Sequence, residues 1–371
     1  IDLVAAAAHP GPVIDAAASH PRVSEVVERS ESRARMRTCW GINVDLEVVP
    51  EEHFTAALFL NTGSRAHLKR LQAFGAEREA GFDLGAAVKA VSFSAEQDIY
   101  ELLDLPYIPP ELREDTGEVE AASAGRLPRL LEQGDIKGDL HIHTDWSDGL
   151  NTIWQVVERA REKGYQYIAV TDHSRSLKIA KGLSLDRLKE QHREIRSLNE
   201  RLEDFHVFTG IEVDILPQGG LDCPEEILKE TDVVIASVHT AFKQDRETMT
   251  ARIISAVEDR NVDIIGHLTG RLIGRREAYA VDVERVLEAA ADCSTILEIN
   301  SSPDRLDLSD VNARKAKEKG IKLAVNTDAH DLKRMEEMTY GVSVARRAWL
   351  GPDDAVNTMS AGKLKKYLQS R

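Results

Sequence analysis

The stretch GDLHIHTDWSDG, residues 138–149, decides how the rest of the chain is read. Asp139–His143 has the length and composition of a strand, and His141 and His143 stand two apart on it, so both side chains leave the same face. Ser147-Asp148-Gly149 then ends the segment in a turn. Six more strand-like stretches come after it: Tyr167–Thr171, His206–Val213, Val233–Val238, Val262–Gly266, Thr295–Ile299 and Lys322–Asn326. Amphipathic segments separate most of them, at Ile153–Lys163, Leu185–Leu202, Met249–Arg260, Val283–Ala291 and Val311–Lys319. Repeated strand–helix units predict an α/β class with a parallel sheet and helices outside it. Seven such units suit a closed or nearly closed (β/α) barrel better than a small open sheet.

The residues at the strand exits share a chemistry. The first strand runs into His141, His143 and Asp148, the second into Asp172-His173, the third into Glu212, the fourth into His239 and the fifth into His267. The sixth contains Glu298 and Asn300, and the seventh leads to Asp328 and His330. In parallel barrels the C-terminal strand ends converge on one mouth. Six of the chain's 12 histidines therefore meet three carboxylates there. Imidazole with carboxylate suits Zn, Mn or Fe, and nine ligands exceed the needs of one ion but suit two or three. His9, His20, His53, His67, His192 and His206 lie off this pattern and read as ordinary core or surface residues.

Upstream the character differs. Ile1–Ala8, Arg33–Arg37 and Asn43–Val49 read as strands, and Glu51 to about Leu103 as helical; Leu105-Pro-Tyr-Ile-Pro-Pro110 interrupts any helix. The 371 residues carry a net charge of −15, which argues against a broad basic grip on nucleic acid. No apolar run is long enough for a membrane span. Three scattered cysteines, Cys39, Cys223 and Cys293, fit a reducing, cytoplasmic setting. The first residue is Ile rather than Met, and the chain reads as a fragment.

The motifs GDLHIHTDWSDG, VTDHS (170–174), TGIEVDI (209–215), ASVH (236–239), GHLTGR (266–271) and NTDAH (326–330) resemble, in order, the PHP (polymerase and histidinol phosphatase) domain. The resemblance implies a distorted seven-unit barrel, up to three metal ions and phosphoester hydrolysis. Its ligand places fall on His141, His143, Asp148, His173, Glu212, His239, His267, Asp328 and His330, with Glu212 bridging two ions. DHSRSLKIAKGL (172–183), GHLTGRLIGRR (266–276) and LPYIPPELRE (105–114) are similar to bacterial family X DNA polymerases. In that family Asp2 would close the palm aspartate pair and Asp45 would be the third palm aspartate. Gly63 and Ser64 sit in its nucleotide-contacting motif, where Leu60-Asn61 replaces the usual aromatic pair.

These readings give a partial nucleotidyltransferase palm over 1–50, a helical thumb over 51–103, a linker over 104–137 and a PHP domain over 138–371. The expected activity is metal-dependent phosphodiester hydrolysis, as 3′–5′ exonuclease or 3′-end processing of DNA. Glu212, Asp172 and Arg271 are expected in catalysis, and Arg271, Arg275, Arg276 and Asn300 in substrate binding. Mg²⁺ and dNTP belong to the polymerase site of a full-length parent; with only Asp2 and Asp45 at hand, this chain is not expected to polymerise. The rival readings are a small-molecule phosphatase of histidinol-phosphate or nucleotide type, and a non-enzymatic docking module.

Overall fold

The computed structural model describes residues 1–370, which divide into two units, Ile1–Leu127 and the chain from Pro128 onward. In the first unit, strands β1 (Asp2–Ala6), β2 (Val23–Arg29), β3 (Arg33–Thr38) and β4 (Asn43–Val49) form one sheet in the order β1-β4-β3-β2. β1 runs parallel to β4 and places Asp2 opposite Asp45. In β3, Ala34 and Met36 are buried beneath Ile14 of helix α1 (Pro10–Ala18), while Arg33, Arg35 and Arg37 face out. Sequence periodicity does not reveal β2, because nearly every residue of VSEVVER is exposed and no apolar alternation marks it.

Helices α2 (Phe54–Asn61), α3 (Arg65–Arg78), α4 (Leu84–Ala90), α5 (Glu96–Glu101) and α6 (Glu118–Ser123) complete this unit. The stretch 104–137, read as a linker, is folded instead. Leu105, Ile108 and Leu112 are buried, and Arg113 is fully buried with Glu96 and the Ile108 carbonyl as partners. Glu118 joins His67 at 2.6 Å and takes the N–H groups of Asp115 and Thr116. The prolines and acidic residues of this stretch disguise its apolar anchors. From Pro128 the chain belongs to the second unit, where Leu131 N–H bonds to the Leu350 carbonyl.

The second unit holds seven parallel strands: β5 (Gly138–Ile142), β6 (Tyr167–Val170), β7 (His206–Asp214), β8 (Val233–Ser237), β9 (Ile264–Ile265), β10 (Ile296–Asn300) and β11 (Leu323–Asn326), hydrogen-bonded in sequence order. Helices α7 (Ile153–Glu162), α8 (Leu185–Asn199), α9 (Glu225–Leu228), α10 (Arg246–Val257), α11 (Val283–Cys293), α12 (Asp310–Glu318), α13 (Met338–Arg347) and α14 (Ala361–Gln369) succeed them along the chain. Strand residues alternate between two cores. Ile168, Val170, Val234, Ala236, Leu297 and Ile299 belong to the larger cluster with the helices. Ala169, Phe208, Ile235, Ile264, Ile296 and Ala324 form a second cluster with Leu364 and Leu368 of α14. On the same strands but nearer their C-terminal ends, this second face turns polar: Glu212, Glu298, Asn300 and Asn326 are all buried.

β11 and β5, the two ends of the sheet, are joined by other means than a ladder. One isolated bridge links Ile142 to Ala329. Below it the Asn357 side chain donates to the carbonyls of Gly138 and Val325, both at 2.9 Å, and accepts the Val325 N–H at 2.7 Å. Asn357 is fully buried. Asn357→Ala would strand these backbone groups, so a loss of about 2–4 kcal/mol is expected in urea unfolding. A change below about 0.5 kcal/mol would show that the seam is held otherwise.

Candidate metal centre

Every strand of the barrel delivers a polar side chain to one place. Glu212 from β7 is 1% exposed and lies at the middle of it. Its Oε1 is 3.4 Å from His141 Nε2, 3.3 Å from His239 Nε2 and 3.1 Å from His267 Nε2. Its Oε2 is 2.8 Å from His173 Nδ1 and 3.6 Å from His143 Nε2. Burial pushes the Glu212 carboxyl upward, but the surrounding His239, His141 and His173 outweigh it and hold it well below the usual range.

Three groups have their donor atoms close enough to share an ion: His143, Asp148, His173 and His330; His141, His143 and Asp328; and His173, Glu212 and His239. His267 stands outside all three, though it touches Glu212. Within the groups, donors sit 3.1 Å apart for His143 and Asp328, 3.6 Å for His173 and Asp148, and 3.5 Å for His330 and Asp148. Two ligands about 2.1 Å from one tetrahedral ion would be about 3.4 Å apart. A further sign is what these atoms lack. His141 Nε2 and His143 Nδ1 are buried without a hydrogen-bond partner, and His173 Nδ1 and Glu212 Oε2 lie 2.8 Å apart without the angles of a hydrogen bond, a costly state that a cation relieves. The residues present therefore fit divalent ions.

Other side chains aim these histidines. His141 Nδ1 bonds to Glu298 at 2.7 Å, His239 Nδ1 to Asp214 at 2.5 Å and His330 Nδ1 to the Asp328 carbonyl at 2.8 Å. A ring whose Nδ1–H is engaged in this way presents its Nε2 lone pair to a metal. Sequence reasoning missed the roles of Asp214 and Glu298. Asp214 is two residues beyond Glu212 and Glu298 two before Asn300, so same-face spacing was the available signal. The backbone is strained here as well: His267 and Asp328 have φ of +25° and +53°, a region that non-glycine residues seldom occupy. Gly149 is required by proximity, since a Cβ there would lie 2.5 Å from the His143 carbonyl oxygen.

The remaining expected residues divide differently. Asp172 touches no histidine. It is buried and accepts the Thr144 N–H and hydroxyl at 2.8 and 2.6 Å, the Gln191 amide at 2.5 Å, and the Ser147 hydroxyl. The Asp172 side chain thus braces the loop that carries Asp148, while its carbonyl accepts the Glu212 N–H at 3.2 Å. Asn300 donates to Asp328 at 3.1 Å and to Glu298, and is fully buried. Arg271 spends its guanidinium on the carbonyls of Arg305 and Leu306. Arg276 donates to the Gly270 carbonyl and covers the Phe242 ring, and Arg275 is exposed, 3.9 Å from Asp304.

The arginine that does reach the cluster is Arg305, which sequence reasoning passed over. Its Nε lies 3.5 Å from Asp328 Oδ2, and its Nη1 is buried without a partner. It comes after β10 in the run NSSPDR, and nothing in that run separates it from the other arginines of the chain.

In the first unit, Asp2 and Asp45 line a cavity of 530 Å3 with Arg33, Arg35, Asn61 and Arg65. Arg35 Nε bonds to Asp45 at 2.7 Å. Gly63 has φ of +88°, and Ser64 caps α3 by accepting the His67 N–H at 3.1 Å.

Comparison with known proteins gives two family matches: the PHP domain over residues 139–302 and the DNA polymerase beta thumb over residues 57–114. The chain is 38% identical over its whole length to the DNA polymerase/3′-5′ exonuclease PolX of Bacillus subtilis (strain 168), of which it spans 66%. A "probable phosphatase" of Thermoanaerobacter sp. (strain X514) is 37% identical over 63% of this chain and 94% of its own. Among solved structures, histidinol phosphate phosphatase from Lactococcus lactis aligns over 57% of this chain and 93% of its own, with 20% identity and a TM-score of 0.45.

Proposed function

Because the chain belongs to the PHP family, in the X-type DNA polymerase branch that places a polymerase-beta-type thumb before that domain, we propose that its second unit hydrolyses phosphodiesters at DNA 3′ ends. The observation that carries this reading is the convergence of orphaned imidazole and carboxylate atoms on Glu212. His143 and His173 each face two of the three groups, yet a neutral imidazole has one lone pair. Assigning His143 with His141 and Asp328, and His173 with Asp148 and His330, leaves His239 and His267 for a third ion. Glu212, which lies beside His141 and His143 and also beside His239 and His267, would then be shared by the first and third groups. This accounts for all nine ligands without using a ring twice.

When bound, Zn²⁺ or Mn²⁺ would supply a neutral-pH nucleophile from water and polarise phosphorus. The protein does the rest. Glu298, Asp214 and the Asp328 carbonyl hold three rings in one tautomer, and Asn300 fixes Asp328. Arg305, free at Nη1, meets a non-bridging phosphate oxygen, while Arg271 positions it by gripping its backbone. Arg305→Ala is expected to lower kcat/KM by about 10²-fold, the cost of one lost charge-stabilising donor. Arg305→Lys should recover only part of this, since a lysine is not bidentate. Equal activity in all three proteins would remove Arg305 from the site.

A cytoplasmic setting is supported by three free cysteines. Mg²⁺ and dNTP would belong to the polymerase site around Asp2 and Asp45. The second reading, small-molecule phosphatase, is favoured by the near-complete coverage of the phosphatase relative. Labelled 3′-recessed DNA and histidinol phosphate, offered separately with Mn²⁺, distinguish the two. Progressive shortening of the DNA is expected; monoester turnover without shortening would reverse the assignment.

A further inference from the structure

The exposed apolar side chains of the second unit are not scattered. Among the described residues, its exposed large ones are Leu150, Trp154, Ile179, Ile273, Val311 and Tyr340. Each stands on a loop leaving the C-terminal end of a strand or in the first turns of the next helix, hence at the end where the candidate ligands gather. Two of these loops share a further pattern. Residues 174–184, SRSLKIAKGLS, contain three cations and no carboxylate, and so do residues 270–276, GRLIGRR. In a chain of net charge −15 this is a local reversal, partly offset where Arg175 meets Asp222 at 3.1 Å and Arg275 lies 3.9 Å from Asp304. Each loop carries an isoleucine near its tip: Ile179, 92% exposed, and Ile273, 50% exposed.

The first loop is firmly built. Leu183 N–H bonds to the His173 carbonyl at 2.8 Å, Ser174 N–H to the Glu212 carbonyl at 3.0 Å, and Ser176 N–H to Asp222 at 2.6 Å. Gly182 passes so near Ser174 that a Cβ would lie 1.9 Å from its carbonyl oxygen. Ile179 is therefore held out on a scaffold tied directly to two candidate ligands. The second loop is fixed by Arg271 and Arg276, whose guanidinium groups bond to backbone carbonyls.

We infer that these two loops grip a DNA strand, with Lys178, Lys181 and Arg275 on its phosphates and Ile179 and Ile273 against the faces of its bases. A polyanion explains the local cations, and only a polyanion with apolar flat faces also explains the isoleucines between them. Six of the nine candidate ligands are buried and the other three half-buried, so a single strand with unstacked bases reaches them more readily than a stacked duplex does. This inference rests on the exonuclease reading and adds how the strand is held.

The test compares two 5′-labelled single-stranded oligonucleotides, one natural and one abasic at the four nucleotides before the 3′ end. With wild-type protein, base removal should cost about tenfold in kcat/KM, equal to about 1.4 kcal/mol and typical of base contacts. The Ile179→Ser, Ile273→Ser double variant should lose about as much on natural DNA, with little further loss when bases are absent. Ile179→Phe combined with Ile273→Ser should recover part of the sensitivity to bases, which a loop serving only structure would not do. If the double variant works as fast as wild type, or both respond equally to base removal, the inference fails while exonuclease activity stands. If wild type shortens neither oligonucleotide, the exonuclease reading falls and this inference with it.

Discussion

Glu212→Gln is expected to lower phosphodiester hydrolysis by about 10³-fold or more and to release bound metal. The substitution keeps the side-chain volume and removes one negative charge where five imidazoles converge within 2.8–3.6 Å. It also turns one oxygen into an NH₂ group that points its hydrogens at lone pairs meant for ions. Neither Glu298 nor Asp214 can take over, because they are committed to His141 and His239. Metal content by mass spectrometry and exonuclease rate should fall together. A variant that keeps both would show that Glu212 only fills the barrel.

The second large effect is expected from chelation. Without ions, the protein confines six histidines and three carboxylates in a mostly buried cluster, several with unpaired atoms. Ligands that bind only the folded state at about 100 times their dissociation constant add about 2.7 kcal/mol of stability. For a domain of this size that is a melting shift of about 5–10 °C. Treating metal-loaded protein with EDTA should lower the melting temperature by that amount and abolish activity, and added Mn²⁺ or Zn²⁺ should restore both. An unchanged melting temperature, with metal analysis showing less than one ion per chain beforehand, would favour the docking-module reading.

The barrel and the gathering of these side chains at its mouth are legible in the sequence for one physical reason. Strand exits recur at regular intervals, and a histidine or carboxylate at each exit needs only the topology to bring it to the others. That holds for His141, His173, His239 and His330 alike. The arginines resist this logic. Arg271 and Arg305 are both flexible cations after a strand, and their roles depend on which one meets backbone carbonyls and which meets Asp328. Glu298 and Asp214 are hidden for another reason, since a carboxylate inside a strand resembles a surface residue until the strand is known to face inward. The segment 104–127 misleads through composition: its buried Arg113 and Glu118 look like solvated charges.

The junction between β5 and β11 bears on how ions would enter and leave. Elsewhere adjacent strands are zipped by backbone ladders; here one bridge and a few side chains, Asn357 foremost, keep the ring shut. Amide protons along this line should exchange fastest of all the strands, because the local opening that frees them breaks the fewest bonds. β5 brings His141 and leads into His143, whereas β11 leads into Asp328. An opening at this line thus draws apart the partners proposed for a single ion while the other six strand pairings stay closed. Exchange of that ion would then be a breathing motion of the ring, with Asn357 as its latch, and would need no unfolding of the barrel.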